Sequence, residues 1–368
     1  MIHDIAIIGG GIAGASLAAE LAPHAGVLIL EGESAAGYHA TGRSAAFWSE
    51  TYGGPAIQPL TTASEAPLRE GGFLDPLGSL HIGRRGDAAA IDAFLAAFDG
   101  SGVPLARVDP AAFVPGLRAE WTFGIHEPSC AYIDVAALHA ASFATARQGG
   151  ARLVTGAALR AADRRDGVWQ LDTTGGAFAA RVLVDAAGAW ADQVAMLAGA
   201  APLGIRAYRR TVAQLRTDPA APAGMPHVAD IAGQFYFKPE AGGRLWLSPA
   251  DETPVDPCDV AAEELDVAIA IDRFEGVVDW RVAAVERKWA GLRSFAPDRL
   301  PVYGFDAAVP GFFWCAGQGG FGIQTAPAAA KLAAALLLGE GSVAMPDDVD
   351  PDRYRPDRFA TTPTVRPE

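Results

Sequence analysis

The sequence predicts an α/β chain with an antiparallel sheet inserted into it, and three observations predict this. The chain opens on a buried strand, a glycine turn, a helix, a second buried strand and a carboxylate, running from Asp4 to Glu31. Two later apolar runs end in glycine turns in the same way, Arg181 to Gly188 and Gly311 to Gly322. Between them, from Ala207 to Asp279, short alternating runs (Thr211–Leu215, Phe235–Lys238, Arg244–Leu247) are separated by proline and glycine turns, the pattern of antiparallel strands. Together these describe a Rossmann-like domain that is left by the chain and re-entered.

In the opening unit, Gly9, Gly11 and Gly14 have the spacing G-x-G-x-x-G between strand and helix. Gly9 permits the tight turn, Gly11 lets backbone approach a pyrophosphate, and Gly14 allows helix and strand to pack closely. The helix N-terminus offers N–H groups and a positive dipole end to phosphate. Glu31 follows Gly11 by 20 residues, where an acid accepts hydrogen bonds from a ribose. The unit therefore predicts a dinucleotide site.

Composition narrows the remaining classes. At 368 residues, two domains are expected. A net charge of −14 argues against nucleic-acid binding, which calls for a basic face. No uncharged apolar run is long enough to span a bilayer, and Ala328–Leu338 carries Lys331. The first strand begins at once, which leaves no room for a leader and predicts a cytoplasmic protein. The three cysteines, Cys130, Cys258 and Cys315, are far apart and the seven histidines are scattered, so neither a metal site nor a disulfide framework is expected.

Along the chain, Gly37–Ala46 is small and polar, suited to close approach by a large flat ligand. Helices are expected from Leu60 to Gly71, over Ala88–Phe98, from Asp134, over Glu263–Phe274 and over Ile323–Leu338. Strands are expected at Arg152–Thr155, Val168–Leu171 and Gly311–Ala316. The stretch from Asp347-Asp-Val-Asp-Pro-Asp352 onward lacks the glycine and terminal glutamate of a calcium loop and reads as a solvated tail.

Two glycine loops at helix mouths, Gly9–Gly14 and Gly317–Thr325, suggest one long ligand held at both ends. The second mouth places donors where a reduced flavin becomes anionic, which turns the expectation from nicotinamide to FAD. At this point the residues reach a family. The opening fingerprint, Gly37-Tyr-His-Ala-Thr-Gly-Arg-Ser-Ala-Ala46, Val184-Asp-Ala-Ala-Gly-Ala-Trp190, Trp289-Ala-Gly-Leu-Arg-Ser-Phe295 and Gln318-Gly-Gly-Phe-Gly-Ile-Gln-Thr325 resemble the D-amino-acid oxidase superfamily, nearest the bacterial D-arginine dehydrogenase type. The likeness runs in order along nearly the whole chain.

The resemblance implies a Rossmann-like FAD-binding domain (1–75, 136–205 and 294–368) with an inserted antiparallel-sheet substrate domain (76–135 and 206–293). It implies noncovalent FAD held by Gly9, Gly11, Ile12, Ala13, Gly14, Glu31, Gly32, Thr41, Arg43, Ser44, Ala45 and Ala46. Ala158, Ala187, Gly188, Trp190, Arg293 and the run Gly319, Gly320, Phe321, Gly322, Ile323, Gln324 and Thr325 complete the set. Arg210 and Arg293 are the implied substrate-carboxylate clamp, a role that guanidinium forks suit. Arg209 can exchange with Arg210, because adjacent strand residues face opposite sides. Tyr52 and Tyr236 are the implied catalytic-pocket tyrosines, with Phe47, Ser49, Ser79, Gly320 and Gln324 as substrate contacts and Trp48 near the wall. None of the wall residues is acidic, which favours a neutral or apolar D-amino acid over arginine.

The implied reaction is hydride transfer to flavin N5 from a clamped amino acid, followed by hydrolysis of the imino acid to a 2-oxo acid and ammonia. No histidine or carboxylate base stands out. Trp246 occupies the place of the lysine that promotes oxygen reaction in sarcosine-oxidase-like members, which favours a quinone or other carrier as electron acceptor. An oxidase of the glycine or sarcosine type and a 2-hydroxy-acid dehydrogenase are the enzymatic rivals. A flavin-binding protein without turnover has no use for the arginine pair.

Overall fold

The computed structural model describes residues 1–339 and 341–359, so 360–368 of the last predicted domain segment lie outside the described residues. Strand β1 (His3–Ile8) leads through Gly9–Gly11 into helix α1 (Ile12–Leu21) and then strand β2 (Val27–Leu30). Every side chain of β2 is buried, as in a parallel strand covered on both faces. A Cβ on Gly14 would lie 2.0 Å from the Gly9 carbonyl, so only glycine lets α1 start this close to the turn. Ala15, Leu17, Ala18 and Leu21 bury the inner face of α1 against β1 and the alanine-rich helix Ala326–Leu338. Each fully buried leucine contributes roughly 1.5–3 kcal/mol.

The first sheet has eight strands. β1 pairs in parallel with β2 on one side and with Gly176–Asp185 on the other. Gly176–Asp185 in turn carries Phe312–Ala316 in parallel, and Arg152–Val154 extends the β2 edge. All strands of this sheet lie within 3–30, 152–185 and 302–316.

The second sheet has ten strands and is built around two long ones, Arg206–Asp218 and Arg281–Phe295, which pair along their whole length. One pair in it, His227–Asp230 with Ser79–Arg84, is parallel, because the two segments enter from distant parts of the chain. A small third sheet joins Phe47–Trp48, Ala131–Ile133 and Leu74–Pro76. The fold is thus α/β with an antiparallel-sheet domain, as the alternating runs predict.

Two expectations need correction. The last helix begins at Ala326 rather than Ile323; Pro327 sits in its first turn, where the missing N–H costs nothing. The acidic stretch after Asp347 is not a free tail. Its aspartates are exposed, but Tyr354 is 1% exposed, packs on Tyr303 and donates to the Ala56 carbonyl at 2.8 Å. Among the described residues no helix is long and apolar enough to cross a membrane, and no His/Cys/Asp/Glu cluster fits a metal ion.

Candidate active site

A cavity of about 450 Å³ runs from the Gly9 turn to the face of the ten-stranded sheet. At the near end, Gly9 takes φ +107°, and a Cβ there would lie 2.4 Å from the Ala186 carbonyl. Glu31 accepts hydrogen bonds from Gly10 N–H (2.7 Å) and Glu33 N–H (2.9 Å), which fixes its carboxylate at the cavity edge. Thr41 Oγ1 accepts from Ile12 N–H at 2.9 Å, so the loop 37–46 is tied to the first turn of α1. His139 hydrogen bonds the Gly10 carbonyl at 2.9 Å and backs Gly37. Gly32, Ala158, Ala187, Gly188 and Trp190 line the same end.

The middle is walled by Arg43, Ser44, Ala45 and Ala46 on one side and by Gly319, Gly322, Ile323 and Gln324 on the other. Arg43 is anchored outward: Nη1 donates to the Val260 carbonyl at 2.9 Å, Nη2 pairs with Asp259, and its carbonyl accepts from Trp289 Nε1 at 2.9 Å. Gln324 is 2% exposed and joins two elements. Its Oε1 accepts from Ser49 N–H at 3.2 Å, while Nε2 donates to the Tyr52 carbonyl at 3.0 Å and to Thr61 Oγ1 at 2.8 Å.

At the far end Phe47, Tyr52, Arg210, Tyr236, Arg293 and Gly320 converge. Strand register explains the arginines. Tyr208 pairs with Arg293 and Arg210 with Gly291, so both arginines stand on the cavity face of adjacent strands. Arg209 points the other way and is paired with Glu263 and Asp266. Arg293 Nη2 donates to Tyr52 Oη at 2.9 Å and Nη1 to Glu252 Oε1 at 2.8 Å, while its buried Nε has no partner. A Cβ on Gly320 would lie 2.2 Å from Nη2, 2.4 Å from Tyr52 Oη and 2.5 Å from Nε. Arg293 and Tyr52 therefore pack against the Gly320 backbone more closely than any residue but glycine permits. Arg210 is more fully engaged, with Nε on the Asp251 carbonyl at 2.9 Å. Burial pushes the Tyr236 phenol up despite the opposing charge of Arg210, so it stays protonated at neutral pH.

Several sequence-predicted residues stand away from the cavity surface. Ser49 is turned from it, donating to Glu127 Oε2 at 2.9 Å. Ser79 Oγ meets His227 Nδ1 at 3.1 Å, and the Phe47 ring, 4.2 Å from the His227 ring, screens both. Trp48 is fully buried and donates to the Thr61 carbonyl at 3.0 Å. Phe321 packs on Ile57 and Phe295, and Thr325 turns inward onto the Phe321 carbonyl at 2.9 Å. Gly14 serves helix packing rather than the cavity wall. The helix-mouth donor at Ala328 N–H is spent on Ser64 Oγ at 3.1 Å, and residues 318–320 and 322–324 rather than that mouth line the cavity.

Sequence reasoning also missed residues. Glu127, fully buried, accepts from Ser49 Oγ, Glu50 N–H (2.7 Å) and Thr51 Oγ1 (2.5 Å) and so holds the segment that presents Tyr52. Nothing in its local pattern marks it. Glu252 and Arg299 bracket the arginine pair and carry no motif either. Lys238 lies over the Trp246 ring at 4.2 Å, is paired with Glu240 and does not line the cavity.

The residues fit FAD. The glycine cradle at β1–α1, Glu31 at ribose distance along the chain and an elongated cavity ending at two arginines match a dinucleotide with a reacting ring at its far end. Gly9, Gly11, Ile12, Ala13 and Glu31 would hold the adenosine diphosphate half, and residues 43–47 with 319–324 the ring half. Bound there, FAD supplies a two-electron hydride acceptor. None of the three cysteines lines the cavity.

Known proteins agree with this geometry. Glycine oxidase of Geobacillus kaustophilus (strain HTA426) is 27% identical over 357 residues, covering 91% of this chain and 93% of that protein. A crystal structure of glycine oxidase from Geobacillus kaustophilus superposes with a TM-score of 0.79 at 24% identity, over 95% of this chain and 99% of the other. That of L-proline dehydrogenase from P. horikoshii gives 0.85 at 21% identity over 98% of each chain. These two structures establish the fold alone. Hydrogen cyanide synthase subunit HcnC of Pseudomonas protegens is 27% identical over 199 residues, 52% of this chain. Dimethylglycine dehydrogenase of Mus musculus is 28% identical over 252 residues, 63% of this chain. The chain spans less than half the length of these two relatives, 43% and 29% respectively. A family model described as FAD dependent oxidoreductase (DAO) matches residues 4–336, and the chain belongs to that family.

Proposed function

We propose that this chain oxidises the carbon–nitrogen bond of a small neutral or apolar amino acid that carries one carboxylate. The substrate leaves as the imino acid, which water converts to the 2-oxo acid and ammonia. The observation that carries this reading is that Arg293, hydrogen-bonded to Tyr52 Oη and with its Nε unpartnered, lines the far end of the cavity together with Arg210, Tyr236 and Gly320. A guanidinium edge beside a phenol suits a carboxylate bound in two-point fashion. A carboxylate fixed there holds the α-carbon against the ring half of the cofactor cavity. The rings of Phe47, Tyr52 and Tyr236 supply the wall, and no acidic side chain lines this end.

Tyr236 stays protonated and orients rather than abstracts, so the amine loses its proton to water before the hydrogen is transferred. Among the described lining residues, His39, Glu31 and Glu33 belong to the other end of the cavity. The D-amino-acid dehydrogenase reading rests on the motif likeness. Glycine oxidation is the second reading, favoured by the relative that this chain matches over 91% of its length. A non-oxygen acceptor is supported by Trp246 in the lysine position and by a lining set that includes no lysine. The proposed locale is the cytoplasm.

The test is anaerobic bleaching of the flavin-loaded protein by D- and L-amino acids, glycine, sarcosine and 2-hydroxy acids. Bleaching by amino acids is expected, and preference for a hydroxy acid over all of them would overturn the reading. Reoxidation by a soluble quinone should outpace reoxidation by air; the reverse order would make the protein an oxidase.

A further inference from the structure

Beside the arginine pair a single carboxylate sits among three guanidinium groups. Glu252 Oε1 accepts from Arg293 Nη1 at 2.8 Å, Arg299 Nη2 at 2.9 Å and Arg210 Nη2 at 3.4 Å, and Oε2 accepts from Arg299 Nη2 at 3.0 Å. The Glu252 side chain is 34% exposed, and an isolated pair at that exposure contributes little. Here, however, one oxygen gathers three donors, two of them on side chains only 13% and 12% exposed. Burial pushes the Glu252 carboxyl up, but the Arg299 hydrogen bond and the charges of Arg293, Arg299 and Arg210 outweigh it and hold the group below its usual range.

The backbone around the cluster is strained. Among the described residues four non-glycine residues take positive φ, and two of them frame this carboxylate: Ala250 at 54° and Arg299 at 67°. Such conformations cost about 1–3 kcal/mol each and persist where surrounding structure enforces them.

Arg293 has two usable faces. Its Nη1 is spent on Glu252, which leaves the edge formed by Nε and Nη2, next to Gly320. Resting on the reading that a substrate carboxylate binds this edge, we propose that Glu252 is a positioning and specificity-determining residue. It turns Arg293 so that only the Nε–Nη2 edge meets the cavity. It also fills the second anion position between Arg293, Arg210 and Arg299, so the site takes amino acids with one carboxylate and rejects those with two. Without Glu252, the two cavity-lining arginines, Arg210 and Arg293, would face one substrate carboxylate with unneutralised charge to spare.

The test follows the visible absorption of the FAD-loaded full chain on titration with acetate, malonate and succinate. Acetate should bind the wild type more tightly than either dicarboxylate. In Glu252→Ala, the ratio of dissociation constants, acetate over the tighter dicarboxylate, should move toward the dicarboxylate by at least tenfold, and Glu252→Asp should restore it. Arg299→Ala, which removes a cation and keeps the carboxylate, should move the ratio toward acetate. A purely structural role would weaken both ligand classes together and leave the ratio fixed. An unchanged ratio in flavin-loaded Glu252→Ala overturns the proposal. If that variant fails to load flavin, an unchanged ratio in Arg299→Ala does so. If acetate leaves the wild-type spectrum untouched, the carboxylate reading falls first and takes this proposal with it, so the two failures are separable.

Discussion

Replacing Gly320 by alanine isolates the carboxylate site from the rest of the molecule. The backbone at 320 is outside the left-handed region, so alanine brings no conformational penalty. Its methyl, however, would lie 2.2 Å from Arg293 Nη2, where ordinary contact starts at 3.4 Å. Arg293 and Tyr52 must both retreat by about an ångström, a displacement that can cost 10²-fold in rate when it reaches the reacting groups. The retreat also breaks the 2.9 Å Arg293–Tyr52 bond. A charge-assisted bond contributes about 1.5–3 kcal/mol. At 1.36 kcal/mol per decade, that is roughly 10- to 150-fold. The kcat/KM of Gly320→Ala should fall by on the order of 10²-fold, mainly through KM. The assay is steady-state turnover with an artificial acceptor, on protein whose flavin content is read from visible absorbance. Gly86→Ala, where a Cβ meets nothing within 4 Å, is the control and should behave as wild type. A flavin-loaded Gly320→Ala with kcat/KM near wild type would refute the placement of substrate against Arg293 and Tyr52.

The two neighbouring arginines should separate cleanly. Arg210→Ala should raise KM about tenfold, as expected for loss of one charged hydrogen-bond donor. Arg209→Ala strands Asp266 and Asp251 and should lower stability by about 2 kcal/mol or more, allowing for solvent screening on the exposed Glu263 side, with KM little changed. Chemical denaturation and kinetics on the pair check both. His81 titrates within reach of ordinary buffers, since burial pushes its imidazole down to about 4 from 6.5. With the folded value depressed, its stability is present above 6.5 and lost as pH falls toward 4. His81→Leu should therefore lose less stability than wild type across that window; parallel melting curves would contradict this. Because burial holds Tyr236 protonated, Tyr236→Phe should lower kcat while leaving the pH at which kcat/KM rises unchanged; a shifted rise would make the phenol the base.

What the sequence made legible is what is local in it. The glycine cradle and Glu31 lie within one short strand–turn–helix–strand unit, and each glycine is required by backbone geometry that residue spacing reveals. Strand alternation says that Arg209 and Arg210 face opposite sides, but only the pairing of Tyr208 with Arg293 decides which side is inward. Ser79 lies off the cavity surface because His227 and Phe47, brought from other strands, stand beside it. Glu252 lies 41 residues from Arg293 and 47 from Arg299, so its role arises from tertiary approach that no local pattern encodes. The acidic tail misled for a similar reason. Its charges are solvated, but one tyrosine among them finds a partner at the far end of the chain.

That last contact gives the site a chronology. The first turn of the adenosine diphosphate half closes over short spans, 21 residues from Gly10 to Glu31 and 29 from Ile12 to Thr41, and Ala158, Ala187 and Gly188 complete that end. The ring half closes over 272 residues, from Tyr52 to Gln324, and Tyr354 seals Ala56 across 298. During synthesis that first turn is made well before the segments that face it. Its counterpart waits until residues 318–324 have been made. The cofactor site is thus built from its glycine turn outward, and the catalytic end is the later part to be assembled.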